Sequence, residues 1–248
     1  MSSSISQAVR ELAEPKLAKF TAKLLPTVDP ARILGVRTPA LRKLAKKLLR
    51  EHPQEVTDFM AAAPHDFQEE DLLHVLLLNE ERDFATWHTE ITSFLPYMTN
   101  WTLTDAVSPA CVKGGKAANL PQLERSCLDW LVDDRVYVQR LGVVVLMSLL
   151  GTEYFSPEHL RAVAALAGSE EYYVRVAVAW YFAEALARQE HAALPWFALV
   201  NSSGNTDSPG LPAVTLRMAI TKAIESRRIS DDLKAELRQL RSTLPRRS

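Results

Sequence analysis

Four side chains in this 248-residue sequence stand at spacings that could act on a charged partner: Trp101, Asp105, Arg140 and Trp180. Aligning VYVQRLGVVVL (136–146) with YYVRVAVAWYF (172–182) superimposes Tyr137-Val138-Gln139 on Tyr173-Val174-Arg175, a period of 36, and one further step back lands on Trp101. With Trp101, Tyr137 and Tyr173 as position zero, Trp101 and Asp105 occupy positions 0 and 4, Arg140 position 3 and Trp180 position 7. Those positions share one face of an α-helix, so three neighbouring parallel helices would present Trp, Asp, Arg and Trp along one stripe. An ionised carboxylate can stabilise a developing positive charge, indole faces attract a cation, and a guanidinium can hold a phosphate as a fork. Each residue also has a plainer reading. The indoles can be core, Asp105 can complement a helix dipole from an exposed first turn, and Arg140 can be an ion-pair partner of Asp105. Arg140 lies in the nearly all-apolar stretch 136–150, where a charge requires a partner or solvent. The residue types leave both readings open.

The elements that must position these residues all read as helices. Thr38-Pro39 places a capping threonine before a proline at the first helical position, followed by apolar residues at 41, 44, 45, 48 and 49. Further helices are expected at 54–63, 69–79, 84–96, 101–110, 120–132, 135–150, 157–167, 170–188, 192–201, 212–227 and 231–243. The breaks fall on HPQE, APHD, VKGGK, GTEYFSP and NSSGNTDSPGLP. No strand-like alternation or βαβ pattern is present. The helices after Asp133-Asp134 and Ser169-Glu170-Glu171 begin with an acidic turn and continue with small apolar residues, as in the second helix of a HEAT-like unit. The period is shorter than the usual roughly 40–47, so the repeats are degenerate. The expected fold is all-α, HEAT-like helical repeats stacked in a curved α-solenoid with a concave DNA-binding face. One domain is expected over 1–248, with an N-terminal helical segment at 1–32, a surface loop at 203–212 and basic helices at 213–248.

Composition excludes several classes. Apolar residues make up 47% and charged residues 24% of the chain, which is ordinary for a globular protein. No apolar run reaches the roughly 18 residues of a spanning helix, and MSSSISQAVRELAEPK lacks the basic-then-apolar pattern of a secretion signal. A bacterial-type cytoplasmic protein is therefore expected. Cys111 and Cys127 offer neither a disulfide framework nor zinc spacing and read as small buried groups, and the six histidines form no i, i+4 pair. His74 and His88 read as surface or boundary residues. No metal or cofactor is expected. Net charge is −1, but the cations are grouped, in 37–50 and from Arg217 onward, whereas acids gather at 66–71 and 80–83. An electrically lopsided molecule is expected, because phosphate attraction acts within about 8 Å at physiological salt. Lys113-Gly114-Gly115-Lys116 lacks the spacing of a phosphate loop and reads as a turn with two lysines near a backbone phosphate.

The ordered segments ILGVRTPALRKLAKKL, FLPYMTNWTLTDAVSP, VYVQRLGVVVLMSLL, EYYVRVAVAWYFAEAL and ITKAIESRRIS resemble the landmarks of AlkD-type DNA alkylation repair proteins, HEAT-like-repeat DNA glycosylases. The resemblance extends over nearly the whole chain. It implies a site made of a Trp and an Asp four residues apart, an Arg on the next repeat and a Trp on the one after, which fall on Trp101, Asp105, Arg140 and Trp180. The implied activity is hydrolysis of the N-glycosidic bond of cationic N3- or N7-alkylpurines in duplex DNA by a monomer, without a cofactor and without flipping the base. Trp101, Asp105 and Trp180 would be catalytic. Arg140, Lys113, Lys116, Lys43, Lys47, Arg227 and Arg228 would contact DNA. The stretch before the ILGV landmark, AKFTAKLLPTVDPAR, departs from the pattern, since Pro26 and Pro30 break any long helix there. It resembles a short-chain branch that lacks the N-terminal lesion-contacting helix. The alternative function is accordingly a non-catalytic or altered-substrate DNA-binding or scaffolding repeat protein.

Overall fold

The computed structural model describes residues 4–113, 117–200 and 209–245. The chain is all-α, built of packed helices, and it divides into two compact units, Met1–Asn119 and Leu120–Ser248.

The first unit contains α1 (Ser4–Arg10), α2 (Pro15–Leu24), α3 (Thr38–Glu51), α4 (Pro53–Ala61), α5 (Gln68–Leu78), α6 (Phe84–Phe94) and α7 (Trp101–Ala106). Helix α5 is its axis. The sequence QEEDLLHVLLL is apolar on every side after its first turn, and α5 is buried along its whole length, touching α1, α3, α6 and α7. A helix apolar all round belongs in a core, whereas α3, apolar at Leu41, Ala45 and Leu48, buries a single stripe. Helix α3 begins at Thr38 itself, so Arg37 rather than Thr38 stands at its cap position. The Arg37 side chain instead forks onto Glu14 at 2.8 and 3.0 Å.

The acids at the start of α5 correct the expectation that they form one pole of a lopsided surface. Glu69, Glu70 and Asp71 are each at most 3% exposed. Glu69 accepts the backbone amides of Leu34 (2.9 Å), Gly35 (2.7 Å) and Val36 (3.3 Å). Asp71 pairs with Arg32 at 3.0 Å, and burial, which outweighs that pairing, pushes its carboxyl up to about 6. Gly35 has φ +76, and a Cβ there would lie 2.2 Å from the Ala18 amide nitrogen and 2.5 Å from the Glu14 carbonyl. Only glycine allows the ILGV segment to pass this close to α2.

His74 is likewise interior rather than surface, at 4% exposure. Its Nδ1 lies 3.0 Å from His65 Nε2, and the two rings are sandwiched by Phe59 stacked on His65 and Phe94 stacked on His74. Desolvation lowers His65 to about 4 and His74 to about 3.

The second unit contains α8 (Leu120–Leu131), α9 (Val136–Leu146), α10 (Pro157–Ala164), α11 (Tyr172–Arg188), α12 (Glu190–Ala193), α13 (Ala213–Glu225) and α14 (Asp231–Thr243). Helix α11 is central, packed against α9 and α13 with Val174, Ala177, Val178, Tyr181 and Phe182 fully buried. Gly142 lets α8 approach α9, since a Cβ there would meet the Cys127 carbonyl at 2.9 Å. Both cysteines are buried. Of the helix expected over 192–201, residues 192–193 end α12 and residues 194–200 are not α-helical. Pro195 falls in a 3-10 turn at Leu194–Trp196, after which the chain bends and makes an isolated bridge between Leu199 and Leu211. Residues 203–208 of the expected surface loop lie outside the described residues. No helix among the described residues is long and apolar enough to cross a membrane.

Two outcomes follow. Glu69→Ala leaves three backbone amides without their acceptor and is expected to lower the urea-unfolding free energy by at least about 3 kcal/mol. Both histidines are depressed from their ordinary 6.5, so their contribution is full above pH 6.5 and is lost as pH falls toward their folded values. The raised Asp71 works in the opposite direction, losing its contribution as pH rises through about 6. His74→Phe isolates one histidine. It should reduce the loss of unfolding free energy between pH 7 and pH 5 by about 2 kcal/mol.

Candidate nucleic-acid interface

Trp101 and Asp105 lie on α7, a helix of six residues. So short a helix has no stability of its own and is held by side chains at both ends. At its start, the Asn100 side chain accepts the Thr102 amide at 3.0 Å. The fully buried Asn100 amide in turn donates to Gln68 Oε1 at 2.8 Å, and Gln68 Nε2 reaches Thr102 Oγ1 at 2.8 Å. This Gln68–Asn100 pair ties α7 to the first turn of α5. The sequence reading missed it because the partners are 32 residues apart. The signal available was weak, an Asn directly before a helix start.

At its other end α7 stops at Ala106, four residues short of the expected boundary. Asn79 is the cause. Its side chain donates to the Ala106 carbonyl (2.8 Å) and accepts the Ser108 amide (2.7 Å), while its own carbonyl accepts the Ala110 amide (2.8 Å). Pro109 removes a further helix donor. The loop after α7 is thus bound to the end of α5.

Trp101 is half-buried. Its ring packs on Leu25, Val28 and Ile33, and its Nε1 donates to the Leu24 carbonyl at 3.1 Å. Asp105 is half-buried, and its Oδ1 lies 3.1 Å from the Thr104 hydroxyl. Lys43 and Lys113 line one groove of roughly 700 Å³ with Arg42, Lys46, Ala106 and Ser108, immediately beyond the end of α7. Lys113 is placed there by a 2.7 Å bond from Nζ to the Ser108 carbonyl. Lys47 does not line this groove and stands 3.9 Å from Glu51. Lys116 lies outside the described residues.

Before the ILGV segment a ten-residue helix, α2, ends at Leu24 just before Pro26, and Pro30 opens a separate 3-10 turn, so no long helix runs through this stretch. Lys16, Lys19, Phe20 and Lys23 are all exposed, at the i, i+3, i+4, i+7 spacing of one helical face. Phe20 is 58% exposed. The opposite side of α2 sets Ala18 and Ala22 against the cluster that supports Trp101.

In the second unit, α9 and α11 start at Val136 and Tyr172, matching the 36-residue register. Tyr137 and Tyr173 have ring centroids 5.8 Å apart. Arg140 is only 4% exposed, and its Nη1 donates to the Tyr173 carbonyl at 2.7 Å. Within this unit it therefore bonds the first turn of α11. Trp180 is half-buried on α11. One turn further along that face, Glu184 accepts Arg228 at 2.8 Å, which fixes Arg228 on the Trp180 side of α11. Arg227 is exposed. Arg217, part of the basic C-terminal run, donates to the Leu244 and Pro245 carbonyls at 2.8 and 2.9 Å and serves to hold the end of the chain.

Among the described residues no group of three or more His, Cys, Asp and Glu side chains is placed to hold a metal ion. A family model described as DNA alkylation repair enzyme matches residues 5–223. No curated protein matches the chain.

Asn100→Ala removes the α7 cap and leaves the buried Gln68 Oε1 without its donor. A loss of about 1–3 kcal/mol is expected, together with faster hydrogen exchange at the amides of residues 103–106 relative to those of α5.

Proposed function

This chain belongs to the DNA alkylation repair enzyme family, and within that role we propose that it is a monofunctional glycosylase of cationic N3- or N7-alkylpurines in duplex DNA. The observation that carries the reading is a half-buried carboxylate, Asp105, one turn along from Trp101 on a helix anchored at both ends. A groove with four cationic side chains opens just beyond it.

The chemistry asks little of the protein. An alkylated purine already carries a positive charge, so the C1′–N9 bond breaks with its electron pair passing to the base, which leaves neutral. The deoxyribose is left with oxocarbenium character. A fixed carboxylate lowers the energy of that cation and orients the water whose oxygen bonds to C1′, with the water's proton released. Asp105 takes this role. Trp101 offers an aromatic face to the cationic nucleotide, a contact worth about 0.5–2 kcal/mol, and its bond to Leu24 fixes the ring beforehand. In the second unit the half-buried Trp180 offers DNA a like face, and Arg140, 4% exposed and bonded to the Tyr173 carbonyl, holds the first turn of the helix that carries Trp180.

Exposed Lys43 and Lys113 are assigned phosphate contacts, with Arg42 and Lys46 of the same groove added to them. Lys47, Arg227 and Arg228 contribute to the cationic field, and Lys116 follows Lys113 in sequence. The Lys16–Lys19–Phe20–Lys23 face of α2 supplies an aromatic and basic helix where the sequence departs from the family pattern.

The test is single-turnover release of 7-methylguanine and 3-methyladenine from methylated duplex DNA. Asp105→Asn should slow release by about 100-fold or more, with DNA affinity little changed. Release that survives the substitution rejects Asp105 as the catalytic group. No release from folded wild-type protein that still binds DNA would replace this reading with the non-catalytic one.

A further inference from the structure

We propose that Thr104 is a positioning residue for the Asp105 carboxylate, an inference that rests on the reaction proposed above. Thr104 is fully buried although it adjoins a half-buried aspartate on the last turn of α7. Its Oγ1 lies 3.1 Å from the Trp101 carbonyl and 3.1 Å from Asp105 Oδ1. A hydroxyl has one proton and here two acceptors. The ionised carboxylate is the stronger of the two, since charge-assisted hydrogen bonds are about twice as strong as neutral ones. The proton therefore lies toward Asp105 whenever Asp105 is charged.

The Thr104 carbonyl also accepts the Val107 amide at 3.3 Å, closing the helix at that point. One buried residue thus ends α7 through its backbone and restrains the reacting carboxylate through its side chain. That restraint matters to rate more than to binding. Positive charge on the sugar exists only near the transition state, and a carboxylate that must first find its orientation stabilises it less. A threonine kept only to fill space would be replaced by valine, of the same shape, without kinetic consequence.

The experiment compares wild type, Thr104→Val, Thr104→Ser and Asp105→Asn in single-turnover 7-methylguanine release across a range of methylated-duplex concentrations, with thermal unfolding measured alongside. For Thr104→Val the rate at saturating DNA should fall about tenfold while the half-saturating concentration stays within about twofold. Thr104→Ser, which keeps the hydroxyl, should recover most of the rate. If valine prevents folding, Thr104→Cys supplies the same comparison with a thiol as a much weaker donor. A valine variant as fast as wild type overturns the inference and leaves the reaction standing. So does a serine variant as slow as valine, or a loss confined to the half-saturating concentration. Wild-type protein that releases no base overturns the reaction, and the role of Thr104 with it.

Discussion

The first unit depends on one buried carboxylate, Glu69, bound to three consecutive backbone amides of the ILGV segment. A charge in an apolar interior is tolerable only when hydrogen bonds replace its hydration, and amides at 34–36 do so. In return they fix where that segment runs. Gly35 then passes against α2 at a distance no Cβ could share, and the chain just before it forms the Leu25, Val28 and Ile33 cluster on which Trp101 rests. The position of a candidate catalytic aromatic is thus set by an acid that never meets a ligand.

The same economy governs α7. A six-residue helix is a poor platform for a charge that must be placed accurately, yet it can lie close to the surface where a longer amphipathic helix would bury its face. Its rigidity is borrowed from α5, through Gln68 at one end and Asn79 at the other. Both contacts are between uncharged groups, which leaves the local field to Asp105 and to the four cations and Glu80 of the adjoining groove.

In the second unit the charged residues divide by burial rather than by position in the sequence. Arg140 and Arg217 both donate to backbone carbonyls, so they serve contacts within the fold. Arg227 and Arg228 remain on the surface, the latter held by Glu184 beside Trp180. Grouping along the chain therefore overstates the cationic surface, just as the acidic run at 66–71 overstates the anionic one.

Helical periodicity, the 36-residue register and the ordered landmarks were enough to determine an all-α repeat protein of the DNA alkylation repair family and to single out Trp101, Asp105, Arg140 and Trp180. Periodicity reports burial of a whole face, and a landmark reports residues that follow one another, so both are local properties that survive in one dimension. The early stop of α7, the non-helical chain after Trp196 and the interior places of Glu69, His74 and Arg140 were decided only by the tertiary structure. Each depends on a partner distant in sequence or on an environment that composition does not record: Asn79 for the Ser108 amide, Leu211 for Leu199, the 34–36 amides for Glu69, a phenylalanine sandwich for the histidines. A polar side chain reads the same in sequence whether it is solvated or satisfied inside, because what distinguishes the two is the geometry of the groups that fold around it.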